Sequence, residues 1–128
     1  MFLLDTCTLI WLAQKKDKLS PKVEKLLGSN EELLFVSVVS ALEIGLLHQK
    51  QIIEFSSPLY HWWTQLLEFY EIQEIPISST TAIRSTTLPL HHKDPSDRII
   101  IATAIEKGLT ILTPDKHIQA YPEVTTIW

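Results

Sequence analysis

The chain has 128 residues, enough for one substantial core, and a composition of 45% hydrophobic and 20% charged residues that excludes a disordered polyelectrolyte. Its formal charge of −4 provides no general field for a polyanion, which counts against a simple DNA-binding module and requires any nucleic acid to be held locally. The single cysteine, Cys7, permits no internal disulfide, no Cys/His spacing reads as a zinc site, and Cys7 itself is expected to be a small buried hydrophobe.

Met1 leads directly into Phe2-Leu3-Leu4-Asp5 without a basic n-region, so no secretory signal is expected and a cytoplasmic location is. Phe2-Leu3-Leu4 predicts a short strand ending in Asp5, and Thr8 to Ala13 predicts a helix. Ser20-Pro21 supplies a cap and a first-turn proline for a helix over Pro21 to Leu27, with Gly28 at its C-terminal cap. Leu33 to Val36 is a buried-strand run, and Ser37 or Ser40 can cap the following helix, which carries Glu43. Ser57-Pro58 opens a helix with Leu59, Trp62, Trp63, Leu66, Leu67 and Tyr70 on one wide apolar face.

Gln73 to Ile77 predicts a strand, Ser78 to Thr87 a helix, and Leu88 to Asp94 a loop with Pro89 and two histidines. Asp94-Pro95 caps a helix running through Glu106 to Gly108, Thr110 to Thr113 is a β-branched strand leading to Pro114-Asp115, and Val124 to Ile127 makes a terminal strand. The apolar run Ile99 to Ile105 is too short to span a bilayer. Alternating strands and helices predict an α/β fold, a mostly parallel sheet covered on both faces, in a single domain over residues 1–128.

In such a sheet, strand ends and the starts of the following helices share one edge, where ligands bind. Asp5 and Asp115 follow strands, while Glu43 and Asp97 lie in early helical turns, so all four acids converge on one rim. Carboxylates gathered without matching bases resist ionising together, so such a cluster calls for a cation or carries strongly shifted pKa values. Oxygen-only ligation suits Mg²⁺ or Mn²⁺, which supports phosphodiester hydrolysis without a protein nucleophile, with Asp5 or Asp97 as the general base. Thr6, Thr8 and Thr113 stand beside the acids as orienting donors.

Each acid also has a bland explanation. Asp97 stands three residues after Asp94, and Glu43 three after Ser40, where capping boxes place an acid; Asp115 suits a turn after Pro114. Asp5 is expected to have no capping role, which makes it the hardest to dismiss. Asp94 reads as a helix cap first and a ligand second.

With the motifs Phe2-Leu3-Leu4-Asp5-Thr6-Cys7-Thr8, Ser37-Val38-Val39-Ser40-Ala41-Leu42-Glu43-Ile44, Leu88 to Arg98 and Thr110-Ile111-Leu112-Thr113-Pro114-Asp115 in that order, the chain resembles PIN-domain proteins, and within them VapC-like toxins. The resemblance covers essentially the whole chain and ends on a closing strand with terminal Trp128. It implies an α/β/α sandwich and Mg²⁺- or Mn²⁺-dependent ribonuclease activity. It further implies a toxin of a type II toxin–antitoxin pair, a homodimer, and inhibition by a small antitoxin protein. Its acids carry over to Asp5, Glu43, Asp97 and Asp115, with Asp94 as an extra acid where many relatives have an aromatic in place of Ser96.

Lys93, Arg98 and Lys116, with His91, His92 and His117, are the bases expected nearest the rim, as RNA phosphate contacts or as a charge-balancing surface. The Trp62/Trp63 helix is expected to be core, with part of it available for a dimer or antitoxin interface. An aspartyl-phosphate phosphatase would want an acid at the place of Cys7, and a nucleotide-binding module a glycine-rich turn that the three glycines do not supply. The remaining rival is a non-catalytic binding protein whose acidic rim receives a basic partner.

Overall fold

In a computed structural model describing residues 1–128, the short apolar runs become the strands β1 (Phe2–Leu4), β2 (Leu34–Ser37), β3 (Ile72–Ile75), β4 (Thr110–Leu112) and β5 (Thr125–Ile127). They form one sheet in the order β3-β2-β1-β4-β5, and every pairing is parallel. Strand side chains alternate between faces. Leu4, Val36 and Leu112 therefore enter one core, while Leu3 and Ile111 enter another.

The first core is closed by α1 (Thr6–Gln14), α2 (Pro21–Gly28), α4 (Leu59–Tyr70) and Ile44 of α3 (Val38–Gln49). The second is closed by α6 (Pro95–Lys107), by Ile118 of α7 (Lys116–Gln119) and by Tyr121, with α5 (Ser79–Thr87) packed on α6. Helices thus cover both faces, as a parallel sheet requires. No helix is long and apolar enough to cross a membrane.

Caps fall mostly where local chemistry puts them. Ser20, Ser37, Ser78 and Asp94 each accept a backbone N–H at a helix start, and Gly108 closes α6 at φ 64. Gly28, expected as a C-terminal cap, instead ends α2 inside the helix, and Ser29 follows in extended conformation. Pro58 rather than Ser57 occupies the N-cap of α4, where no side chain accepts a backbone N–H. Trp63, Leu66 and Leu67 are buried as expected, and half-buried Trp62 packs on Phe55 with ring centroids 4.5 Å apart. Cys7, expected inside, is only partly buried.

Candidate active site

The chain steps from β1 outward to β2 and β3, then returns to lay β4 against the other side of β1. Where the strand order reverses, the connections diverge and open a crevice beyond the strand C-termini. Asp5 follows β1 and Thr113 follows β4, so these residues flank that crevice. The Thr113 hydroxyl donates to Asp5 Oδ2 at 2.5 Å and accepts from the Asp115 N–H at 3.0 Å, joining both sides across it.

Asp5 is only 3% exposed. Burial raises its carboxyl above the ordinary value, against hydrogen bonds from Thr113, Thr8 and Cys7 that favour the charged form. Contrary to expectation Asp5 is also a cap: its Oδ1 accepts the Thr8 N–H at 2.9 Å, because α1 begins directly after β1 without a linker. Thr8 turns its hydroxyl to the Leu112 carbonyl at 2.9 Å, which fixes α1 against β4. Cys7 lies with Sγ 3.5 Å from Asp5 Oδ1, and burial together with that carboxylate pushes its thiol pKa up, so it remains a thiol and no nucleophile.

For Glu43 the capping-box explanation falls. Ser37, not Ser40, caps α3 by accepting the Val39 N–H at 3.1 Å, which leaves Glu43 in the second turn beyond the unpaired amides. Ser40 instead lies 2.9 Å from the Thr6 hydroxyl, which in turn donates to Glu43 Oε1 at 2.5 Å. Burial is the largest cause raising the Glu43 carboxyl, with Asp94 and Asp5 adding repulsion and Thr6 opposing. Its Oε2 takes no hydrogen bond from the protein.

Asp97 loses its capping explanation in the same way. In a capping box it would accept the Asp94 N–H, but that group donates to His92 Nδ1 at 3.1 Å. Asp97 Oδ2 lies 3.0 Å from His92 Nε2, leaving Oδ1 without a protein donor. Burial first, then the charges of Asp94, Glu43, Asp5 and Asp115, push its pKa from 3.8 to about 8. That coupling is the electrostatic sign of one shared rim. Asp94 caps α6 through Oδ1 to the Ser96 N–H at 2.9 Å. Asp115 caps α7, a helix too short to be foreseen, with Oδ1 taking the His117 N–H at 2.8 Å and Oδ2 lying 3.0 Å from His92 Nε2.

The tightest group is therefore not the expected four acids. The ligating atoms of His92, Asp97 and Asp115 lie within 4.8 Å of one another, a spacing able to hold a metal ion, with Asp5 and Glu43 coupled to them by charge. Hard carboxylate oxygens whose ionisation the site resists match the donor chemistry of a divalent cation such as Mg²⁺ or Mn²⁺.

Among the bases, Lys93 and Lys116 are exposed beside the rim, one preceding the Asp94 cap and the other opening α7. Arg98 is a correction. It is 7% exposed and its guanidinium donates to the carbonyls of Ser85, Leu88, Pro89 and His92 at 2.8–3.1 Å, which removes it from any RNA surface. His92 is what sequence reasoning underrated, grouping it with surface bases. Its signal was a histidine two residues before an aspartate cap, in a loop adjoining the acidic motif.

The PIN domain family profile matches residues 2–124. Ribonuclease VapC22 of Mycobacterium tuberculosis is 30% identical over 129 residues, spanning 98% of this chain and 97% of that protein. Among solved structures, VapBC2 from Rickettsia felis bound to a DNA fragment from its promoter is similar at TM-score 0.69 and 16% identity, over 98% of this chain and 96% of that one. A toxin–antitoxin complex from Klebsiella pneumoniae is similar at TM-score 0.66 and 24% identity, over 98% and 97%.

Proposed function

The chain belongs to the PIN domain family, and from that premise we propose that it is a Mg²⁺- or Mn²⁺-dependent endoribonuclease, the toxin of a type II toxin–antitoxin pair, acting as one domain. The observation that carries the reading is the convergence of Asp5, Glu43, Asp97 and Asp115 on the switch-point crevice, with burial raising the Asp5, Glu43 and Asp97 carboxyls. The ribonuclease name of the Mycobacterium tuberculosis relative supports RNA as the substrate.

When bound, the cation supplies acidification of water and stabilisation of charge on the scissile phosphate. The residues that would hold it are Asp97 and Glu43 through their open oxygens, with Asp5 and Asp115 completing the negative wall. Thr113 and Thr6 fix Asp5 and Glu43 so that neither carboxylate has to reorganise during the reaction. Asp5 or Asp97, both raised by burial in the bare site, would be the carboxylate that takes a proton from the attacking water. Lys93 and Lys116 hold the flanking phosphates, which gives binding without base selectivity.

For partners we infer a small antitoxin and a second copy of this chain. The toxin–antitoxin complexes among the structural relatives support the first, and exposed apolar side chains support an apolar contact surface, with Leu42 61%, Tyr60 80% and Phe69 78% exposed. Light scattering on co-expressed and isolated protein tests this. A lone monomer with no companion protein would count against it.

The decisive assay incubates partner-free protein with structured RNAs, with and without Mg²⁺ or Mn²⁺, beside Asp5→Asn and Asp97→Asn. Cleavage is expected only with the cation, and each substitution should lower it by roughly a thousandfold, the scale of several kcal/mol of charge stabilisation. Metal-independent cleavage, or cleavage indifferent to both substitutions, contradicts the reading and returns the rim to a non-catalytic binding role.

A further inference from the structure

His92 has every polar atom engaged. Its N–H donates to the Tyr121 hydroxyl at 3.0 Å, and its carbonyl accepts from Arg98 Nη1 at 3.1 Å. Its Nδ1 faces the Asp94 N–H at 3.1 Å, and its Nε2 stands 3.0 Å from both Asp97 Oδ2 and Asp115 Oδ2. A backbone N–H can only donate, so Nδ1 must be the acceptor and the ring proton must sit on Nε2. That assignment decides between two roles. A nitrogen that carries a proton has no lone pair for a metal, whereas an Nε2–H facing a carboxylate is a donor, here to Asp115 Oδ2 with Asp97 Oδ2 beside it.

We propose that His92 is a positioning residue for the cation site: its Nε2–H holds Asp115 through Oδ2 and stands 3.0 Å from Asp97 Oδ2, which leaves Asp97 Oδ1 for the ion. The inference rests on the metal centre proposed above. The backbone supports it, because Tyr121 is fully buried and Arg98 nearly so, and between them they fix the loop that delivers the imidazole. Loss of an outer partner of this kind weakens metal binding by about 10–100-fold.

The test measures Mn²⁺ affinity of RNA-free protein by electron paramagnetic resonance for wild type, His92→Phe and His92→Gln, with thermal melts alongside. His92→Phe should bind Mn²⁺ about 10–100-fold more weakly. His92→Gln, whose amide N–H can stand where Nε2–H stood, should recover most of the affinity. Electron spin echo spectra of wild-type Mn²⁺ should show no imidazole nitrogen coupling. Such coupling, lost in His92→Phe, would make His92 a ligand and overturn the proposal. Unchanged affinity in both variants overturns it too, while the wild-type site still binds. A wild type that binds no Mn²⁺ overturns the metal centre and this inference with it. If His92→Phe does not fold, the wild-type spectra and His92→Gln still decide.

Discussion

On the β1 and α3 side of the rim, Asp5 and Glu43 each receive a hydroxyl donor from a buried threonine, Thr113 and Thr6, set directly on a strand end or a first helical turn. On the α6 and α7 side, Asp97 and Asp115 share one imidazole carried by the irregular Leu88–Asp94 loop. The first half is positioned by sheet register, which cannot shift without turning every core side chain to the wrong face. The second is positioned by a loop whose shape depends on Arg98 and Tyr121. One site is thus built with a rigid half and a half that can be removed separately.

The largest effect expected is on the loop-built half. Arg98→Met leaves the carbonyls of Ser85, Leu88, Pro89 and His92 without their donor, at a cost of about 3 kcal/mol. Thermal melts should show a fall of roughly 10 °C. Amide exchange should rise in the Leu88–Asp94 loop while the α1 amides stay protected. Equal loosening of both sides would erase the distinction between the halves.

A smaller effect tests the hinge between them. Thr113→Val removes the donor to Asp5 and the acceptor for the Asp115 N–H in one step. Metal affinity should fall about 10–100-fold, and calorimetric titration with Mn²⁺ measures it. Thr6→Val, acting only on Glu43, should cost less. The reverse order would place the dominant support on the Glu43 side.

A further effect is on stability against pH. A carboxyl whose folded pKa is raised binds its proton more tightly folded than unfolded, so its contribution is present at low pH and lost as pH rises through the folded value. For Asp97 that loss runs from 3.8 up to about 8. Metal-free protein should therefore melt progressively lower as pH climbs across that range, and Asp97→Asn should flatten the decline. Saturating Mg²⁺ should also flatten it. A wild-type profile that the substitution leaves unaltered contradicts the coupling of the acids.

How much of this was readable in the sequence divides along the same line. Strand runs, serine and aspartate caps and the return of four acids to one edge depend on local patterns and on the geometry of parallel sheets, so Asp5, Glu43, Asp97 and Asp115 all reach the expected rim. The capping work of Asp5 is hidden from the sequence because the abrupt β1–α1 junction makes the same residue a strand end and a cap. Four-residue α7 is too short for periodicity to announce. Arg98 is expected at the surface because arginine usually lies there, but its acceptors are carbonyls of an irregular loop that no side-chain pattern encodes. His92 escaped for the same reason, since its role depends on that loop's shape.

Anomalous scattering from a crystal grown with Mn²⁺ tests the centre most directly. One strong peak is expected in the switch-point crevice, ligated by Asp97 together with at least one of Asp5, Glu43 and Asp115, and absent from Asp97→Asn crystals. A peak away from these carboxylates, or a crevice empty of metal at saturating Mn²⁺, would contradict it.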